Sequence, residues 1–249
     1  MPNLDGLKLA VPSIVTPRGG ASFTDFINRK VETCEPLRLQ NQRWAFVYSE
    51  RDAGLVDQII DGLKKASKGL QMKIEGEPIW VEIPRDQVLE KDGCKNTRNG
   101  GNYIFCINNE LGNRANQISM AFVLIGNDKF HGPIKRHLDG LGVVSQFLLF
   151  KNIQKKVGTM GVLSNLLRQV NVKCGLDNYR IKVPPKLSES NTMFVGLEVV
   201  NAGRKSIVGL SSTYDKHMMQ HFSGVAYQEM HKEMLKNGWT KEEQEAKVC

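Results

Sequence analysis

The sequence is poor in the features that assign chemistry by spacing. Its five cysteines, Cys34, Cys94, Cys106, Cys174 and Cys249, are odd in number, scattered and free of any C-x-x-C pair. This argues against a disulfide framework or a cysteine zinc site, and it predicts reduced thiols in a cytoplasmic or nuclear setting. No apolar run approaches the ~20 residues that span a bilayer. The opening MPNLDGLKLAVPSIV carries an early acid and interrupting prolines, unlike a secretory leader. G-x-G-x-x-G and P-loop motifs, internal repeats and low-complexity tracts are all missing, so no nucleotide enzyme of a familiar kind is signalled.

What remains is an ordinary globular composition, 41% hydrophobic and 24% charged, with a formal charge of +8. A chain of 249 residues holds one large domain or two of usual size. The basic balance favours an anionic partner such as nucleic acid, although basic proteins of this size are common.

Residues 1–43, punctuated by Pro12, Pro17, Gly19, Gly20 and Pro36, read as a lead-in or linker. From Trp44 the pattern is α/β. WAFVYSE predicts a buried strand. RDAGLVDQIIDGLKKASKG predicts a helix with Leu55, Val56, Ile59, Ile60 and Leu63 on one face and a stop at Gly69, and IWVEI predicts a second strand. Such a βαβ unit implies parallel strands. KDGCKNTRNGGNY, from Lys91 to Tyr103, reads as a polar loop in which Lys91, Lys95 and Arg98 are solvated or touch an anion. SMAFVLIG is the next strand, then the helix of HGPIKRHLDGLG, then the strand of VVSQFLLF. The alternation describes a Rossmann-like domain over 44–155, with ligands expected beyond the carboxyl ends of its strands. After the basic connection 151–156 comes a helix over 160–175. The texture then turns β-rich: TMFVGLEVV, KSIVGLSSTY and QHFSGVAYQ predict an antiparallel meander, followed by a helix from about Glu229.

Four polar residues recur among apolar neighbours between Phe130 and Gly175. Lys135 lies in a short helix with Pro133 in its first turn, one helical turn after His131. Gln146 sits in a buried-strand pattern, where its amide needs a partner or a ligand. Gln169 and Lys173 are four apart on a helix and face the same way. Ammonium groups and amide donors converging at a helix end suit a phosphate. By spacing alone, solvated lysines and satisfied glutamines are the favoured reading of the same residues.

Read together, SQFLLFKNI, SNLLRQVNVKCG, TMFVGLEVV and SIVGLSSTYD resemble the junction of the MID and PIWI domains of the Argonaute/Piwi family, over roughly residues 44–249. Gln169, where the Argonaute clade usually carries lysine, resembles the Piwi clade. The resemblance implies a MID domain over 44–155 and the first part of an RNase H-like PIWI domain over 156–249. It also implies a pocket for the 5′-phosphate of a small, piRNA-like guide RNA used in RNA-guided silencing. Lys135, Gln146 and Lys173 match three members of the family's tyrosine, lysine, glutamine, lysine pattern, with Gln169 as an accessory contact. His131 stands at the tyrosine position and retains the ability to stack under a base or donate to phosphate. Asn127, Asp128 and Lys129 correspond to the loop that senses the first base. Mg²⁺ at the guide phosphate, a target RNA for the complete protein and a monomeric state complete what the resemblance implies. A Rossmann-like enzyme acting on a phosphorylated small molecule, and a scaffold without RNA binding, are the competing readings.

The family cuts target RNA with an Asp-Glu-Asp-His set holding two Mg²⁺ ions. Glu198 stands at the first Asp position, where its extra methylene displaces the ligand oxygens. Glu233 matches the glutamate, with Glu229 as the competing choice, and no position of the chain supplies the second Asp or the His. Asp215 reads as a turn residue, and His217 and His221, four apart in strand-rich context, do not read as metal ligands. The expectation is therefore guide binding without cleavage by this chain.

Overall fold

A computed structural model describes residues 13–17, 19–22, 24–25, 32–84, 101–157, 159–202 and 205–229. The chain divides into two compact units, Thr16–Tyr179, and Met1–Val15 with Arg180–Cys249.

The first unit is built on four parallel strands, β1 (Trp44–Ser49), β2 (Ile79–Ile83), β3 (Met120–Ile125) and β4 (Ser145–Leu149), in the order β2-β1-β3-β4. Phe122 stands beside Phe46 on one side and Gln146 on the other, so β4 is an edge strand. The helices are α1 (Ala53–Gly69), α2 (Gly101–Leu111), α3 (His131–Gly140) and α4 (Met160–Lys173). The order reverses between β1 and β3, and right-handed crossovers in a sheet that reverses there distribute the helices over both faces. One core joins α1 and α4 to Trp44, Phe46, Phe122 and Leu148, and the other joins α2 and α3 to Val47, Val81, Val123 and Ile125. Coverage on both faces explains why β3, MAFVLI, is buried at all six positions and shows no alternation.

The strands and the helices α1, α3 and α4 lie where the sequence places them, whereas α2 corrects it. The expected loop ran to Tyr103, but α2 begins at Gly101. Its stripe of Tyr103, Ile107 and Leu111, spaced by four, is buried against the sheet, and the preceding Asn-Gly-Gly masks that periodicity. Lys91, Lys95 and Arg98 lie outside the described residues.

Helix α1 ends at Gly69 as expected, yet the left-handed residue is Gln71, φ 58°. At the end of α4, Gly175 takes φ 76°. Leu176 N–H donates to the Asn171 carbonyl at 3.1 Å and Gly175 N–H to Val172 at 2.9 Å, a Schellman ending that requires this glycine. The two helices approach closely at Gly62, where a Cβ would lie 2.5 Å from Leu163 Cδ1 and 3.3 Å from the Val157 carbonyl.

Part of the expected lead-in belongs to the core. Leu37 and Leu39 are buried within it. Asn171, fully buried in α4, accepts from Leu37 N–H at 2.8 Å and donates to the Glu35 carbonyl at 3.0 Å, fastening the segment down.

In the second unit β5 (Val195–Ala202), β6 (Lys205–Thr213) and β7 (His221–Glu229) form the expected antiparallel meander, ordered β5-β6-β7. Val15 pairs with Arg180 and Ile14 with Ile181 in a short antiparallel ladder. Glu229 closes β7 and does not open a helix; residues 230–249 lie outside the described residues.

Candidate functional site

The polar residues singled out in the sequence gather along the outer edge of β4. Because β4 has a neighbour on one side only, the carbonyls of Ser145 and Phe147 point away from β3 and are left to other donors. Lys173, in the last turn of α4, donates from Nζ to the Ser145 carbonyl at 3.1 Å. Gln146 donates from Nε2 to the Phe147 carbonyl at 3.1 Å. Its Oε1 is buried and accepts no hydrogen bond among the described residues. A buried amide oxygen left so is costly, by roughly 1–3 kcal/mol. Strand alternation sends Gln146 and Leu148 to the α1–α4 face and Phe147 to the α3 face.

On the α3 side, His131 lies edge-on to Phe147 with ring centroids 4.4 Å apart. One turn further, the half-buried Lys135 forms an ion pair with Asp139, the next residue on the same helical face. Lys173 senses the charge of Lys135 across the strand edge. Burial of its ammonium first, then the charge of Lys135, holds the Lys173 pKa below the ordinary lysine value, against an opposite pull from Asp139 and Cys174. Cys174, half-buried beside it, is pushed up to about 11 by burial despite Lys173, so its thiol stays protonated at neutral pH.

His131, Lys135, Gln146 and Lys173 are thus brought around one strand. Gln169 lies one turn before Lys173 and is exposed. Asn127, Asp128 and Lys129 are exposed in the turn before α3, where Asn127 Oδ1 caps Lys129 N–H at 3.0 Å and Asp128 pairs with Lys151 at 3.8 Å.

Two expectations about this site need correction. Gln146 is the second residue of β4, and the carbonyl that Lys173 holds belongs to the first. The donors therefore flank the strand from its amino end and do not lie beyond the carboxyl ends of the sheet. The helix end that carries Lys173 is a C-terminus, presenting carbonyls and no free N–H groups, so an anion there depends on side-chain donors. Asp139 and the β4 edge carbonyls are the members that sequence reasoning missed. The i,i+4 spacing of Lys135 and Asp139 was the available signal for the first.

Glu198 lies in the other unit, exposed in mid-β5 opposite Gly209 of β6. Glu233 lies outside the described residues. Asp215 sits in the turn after β6, and His221 opens β7, so His217 and His221 do not share a helical face. Among the described residues no group of three His, Cys, Asp or Glu side chains is arranged to hold a metal, and no helix is long and apolar enough to cross a membrane. Cys34, Cys106 and Cys174 form no disulfide among the described residues.

Comparison with known proteins bears on the fold. The fold is similar to the crystal structure of Drosophila Piwi, with a TM-score of 0.66 and 18% identity over 88% of this chain and 30% of that one. It is similar to the C-terminal lobe of a budding yeast Argonaute, with a TM-score of 0.64 and 13% identity over 88% of this chain and 48% of that one. It also resembles Clostridium butyricum Argonaute bound to a guide DNA and a 19-mer target DNA, with a TM-score of 0.65 and 14% identity over 91% of this chain and 31% of that one. The chain therefore spans between about a third and a half of the length of these structures. Residues 120–243, from β3 onward, match the Piwi domain family model. With that match and the mixed α/β fold around a parallel sheet, the chain belongs to the Argonaute/Piwi family.

Proposed function

We propose that this chain binds the 5′-phosphorylated end of a small, piRNA-like guide RNA at the outer edge of β4, with Thr16–Tyr179 acting as the MID portion and the meander as the start of PIWI. The observation that carries the reading is that two ammonium groups, Lys135 and Lys173, flank the strand that holds the buried Gln146 amide. Each donor is held by a weak internal acceptor that a phosphate outcompetes: Asp139 for Lys135, the Ser145 carbonyl for Lys173 and the Phe147 carbonyl for Gln146. Charge-assisted bonds to a phosphate dianion are roughly twice as strong as neutral ones. Gln169 adds a polar contact from the same face of α4. His131, already seated on Phe147, stacks under the first base, and Asn127–Lys129 meet that base's edge.

A Mg²⁺ ion at the phosphate fits the donor set. Gln146 Oε1 is an unused buried oxygen, which suits a hard cation that takes most of its ligands from phosphate and water. Bound there, the ion would neutralise phosphate charge. The reading includes no target cleavage by this chain. At Glu198 the extra methylene moves the carboxylate by about a bond length, in a chemistry where ~1 Å of misplacement costs about a hundredfold.

The test is competition binding. A 5′-phosphate RNA should bind at least tenfold more tightly than its 5′-hydroxyl counterpart, from charge-assisted bonds worth about 1.5–3 kcal/mol each. Lys135→Ala or Lys173→Ala should abolish the difference. Equal affinity of the native chain for the two RNAs would sink the proposal.

A further inference from the structure

The α1–α4 layer stops short of one edge strand. Its core takes residues from β1, β3 and β4 but none from β2, whose Ile79, Val81 and Ile83 are buried in the other core. Strand alternation sends Trp80 and Glu82 to the α1 side, where Trp80 stands beside Phe46 and Glu82 beside Tyr48. Trp80 is 38% exposed there, more than any other Trp, Tyr or Phe among the described residues of the first unit. Its ring centroid lies 6.2 Å from that of Phe46 and 6.1 Å from that of Tyr48, edge-on to the latter at 86°. Two ring neighbours therefore fix the indole while more than a third of it faces solvent.

The charge around this platform is negative. Burial first, then the charges of Glu82 and Asp57, hold the Tyr48 pKa above the ordinary tyrosine value, so both carboxylates lie near the phenol. Both are exposed, and neither forms an ion pair among the described residues. Lys64, which reaches from α1 toward the start of β2, is taken up by Glu77 at 3.2 Å. In a chain of formal charge +8, an exposed aromatic group with an acidic surround stands apart from the general balance.

An indole flanked by unpaired carboxylates disfavours a phosphate and matches a planar cation, which stacks on the ring while the carboxylates accept from its N–H groups. We propose that this face docks an extended peptide segment of a partner protein carrying two arginines two residues apart, one stacked on Trp80 and the other paired with Glu82. The spacing follows from strand geometry, because alternate residues of an extended peptide lie about 6.6 Å apart, as alternate residues of β2 do. Asp57 supplies the second counter-charge. The inference does not rest on guide binding, since β2 and β4 are opposite edges of the sheet.

The experiment titrates the full chain into a fluorescently labelled synthetic peptide containing Arg-Val-Arg and follows anisotropy at about 0.1 M salt. A Lys-Val-Lys version should bind several-fold more weakly, because an ammonium lacks the planar face and forked donors of a guanidinium. Trp80→Ala should weaken binding of the arginine peptide about fivefold, and Trp80→Phe should recover part of the loss. Asp57→Asn combined with Glu82→Gln should weaken it about fivefold as well. All three residues are exposed, so these variants keep the core intact. Failure of the arginine peptide to bind, equal affinity for the two peptides, or binding that ignores Trp80→Ala while responding to the carboxylate pair overturns the proposal. So does a 5′-hydroxyl single-stranded RNA whose affinity falls in Trp80→Ala, because that result would assign the ring to a base.

Discussion

The two units use the same kind of strand in opposite circumstances. In Thr16–Tyr179 the apolar strands are covered by a helical layer on each face, and Trp44, Phe46 and Phe122 are completely buried. In the meander, Val195, Leu197 and Val200 are 54%, 53% and 53% exposed, and Tyr227 is 67% exposed. Apolar content alone therefore does not determine burial; a sheet needs a second layer, and only the first unit's described residues provide one. Polar groups differ in the same sense. Where the sheet is covered, an edge carbonyl recruits Lys173 and the Gln146 amide is buried with its Oε1 accepting no hydrogen bond among the described residues. In the meander, Glu198 is exposed to solvent.

The strongest way to break this comparison is to truncate one large side chain in each unit. Phe122→Ala empties the covered core and should cost about 3–5 kcal/mol of unfolding free energy, whereas Leu197→Ala should cost less than about 1 kcal/mol. Chemical denaturation followed by circular dichroism reads both, and equal losses would show that the meander is as well packed as the α/β unit.

A smaller effect sharpens the role of residues 33–39. Asn171→Ala leaves Leu37 N–H and the Glu35 and Leu176 carbonyls without the amide that joins them. The loss should be about 1–3 kcal/mol, with faster hydrogen exchange at Leu37. Unchanged protection at Leu37 would mean that the segment is held by its apolar side chains alone.

The least disruptive change tests the site. Asp139→Asn removes the carboxylate that competes for Lys135 and should tighten 5′-phosphate RNA binding a few-fold, with little effect on 5′-hydroxyl RNA. In the native chain, affinity should rise as the phosphate passes its second ionisation near about pH 6. It should then fall on the alkaline side earlier than an ordinary lysine would require, because Lys173 loses its proton at a lowered pKa. The sign follows from the anion favouring the charged ammonium, so that binding in that window takes up protons. Lys173→Arg should move the alkaline limb upward, and an unmoved limb would remove Lys173 from the site.

How far the site was legible varied with the range of each interaction. Lys135, Gln146 and Lys173 stood out because polar groups were set in apolar periodicity. Their grouping depended on β4 being an edge strand, and a one-dimensional pattern does not reveal sheet order. The helix α2 was hidden for a local reason, since glycines mask the start of a stripe that only burial makes evident. Leu37 and Leu39 were read as lead-in because their two-residue strand, Arg38–Leu39, has no period to detect.

By itself the sequence determined the alternation of strands and helices, the parallel class of the sheet, the meander and the identity of the donors. These follow from side-chain periodicity and local turn chemistry, which act over a few residues. Only the tertiary structure decided that the donors line the flank of β4 from its amino end, that Asp139 and two strand carbonyls occupy them, and that Trp80 and Tyr48 meet Glu82 and Asp57 on one open face. Those outcomes depend on which strand is left at the edge and on hydrogen bonds between segments far apart in the chain, both of which are fixed by packing rather than by neighbouring residues.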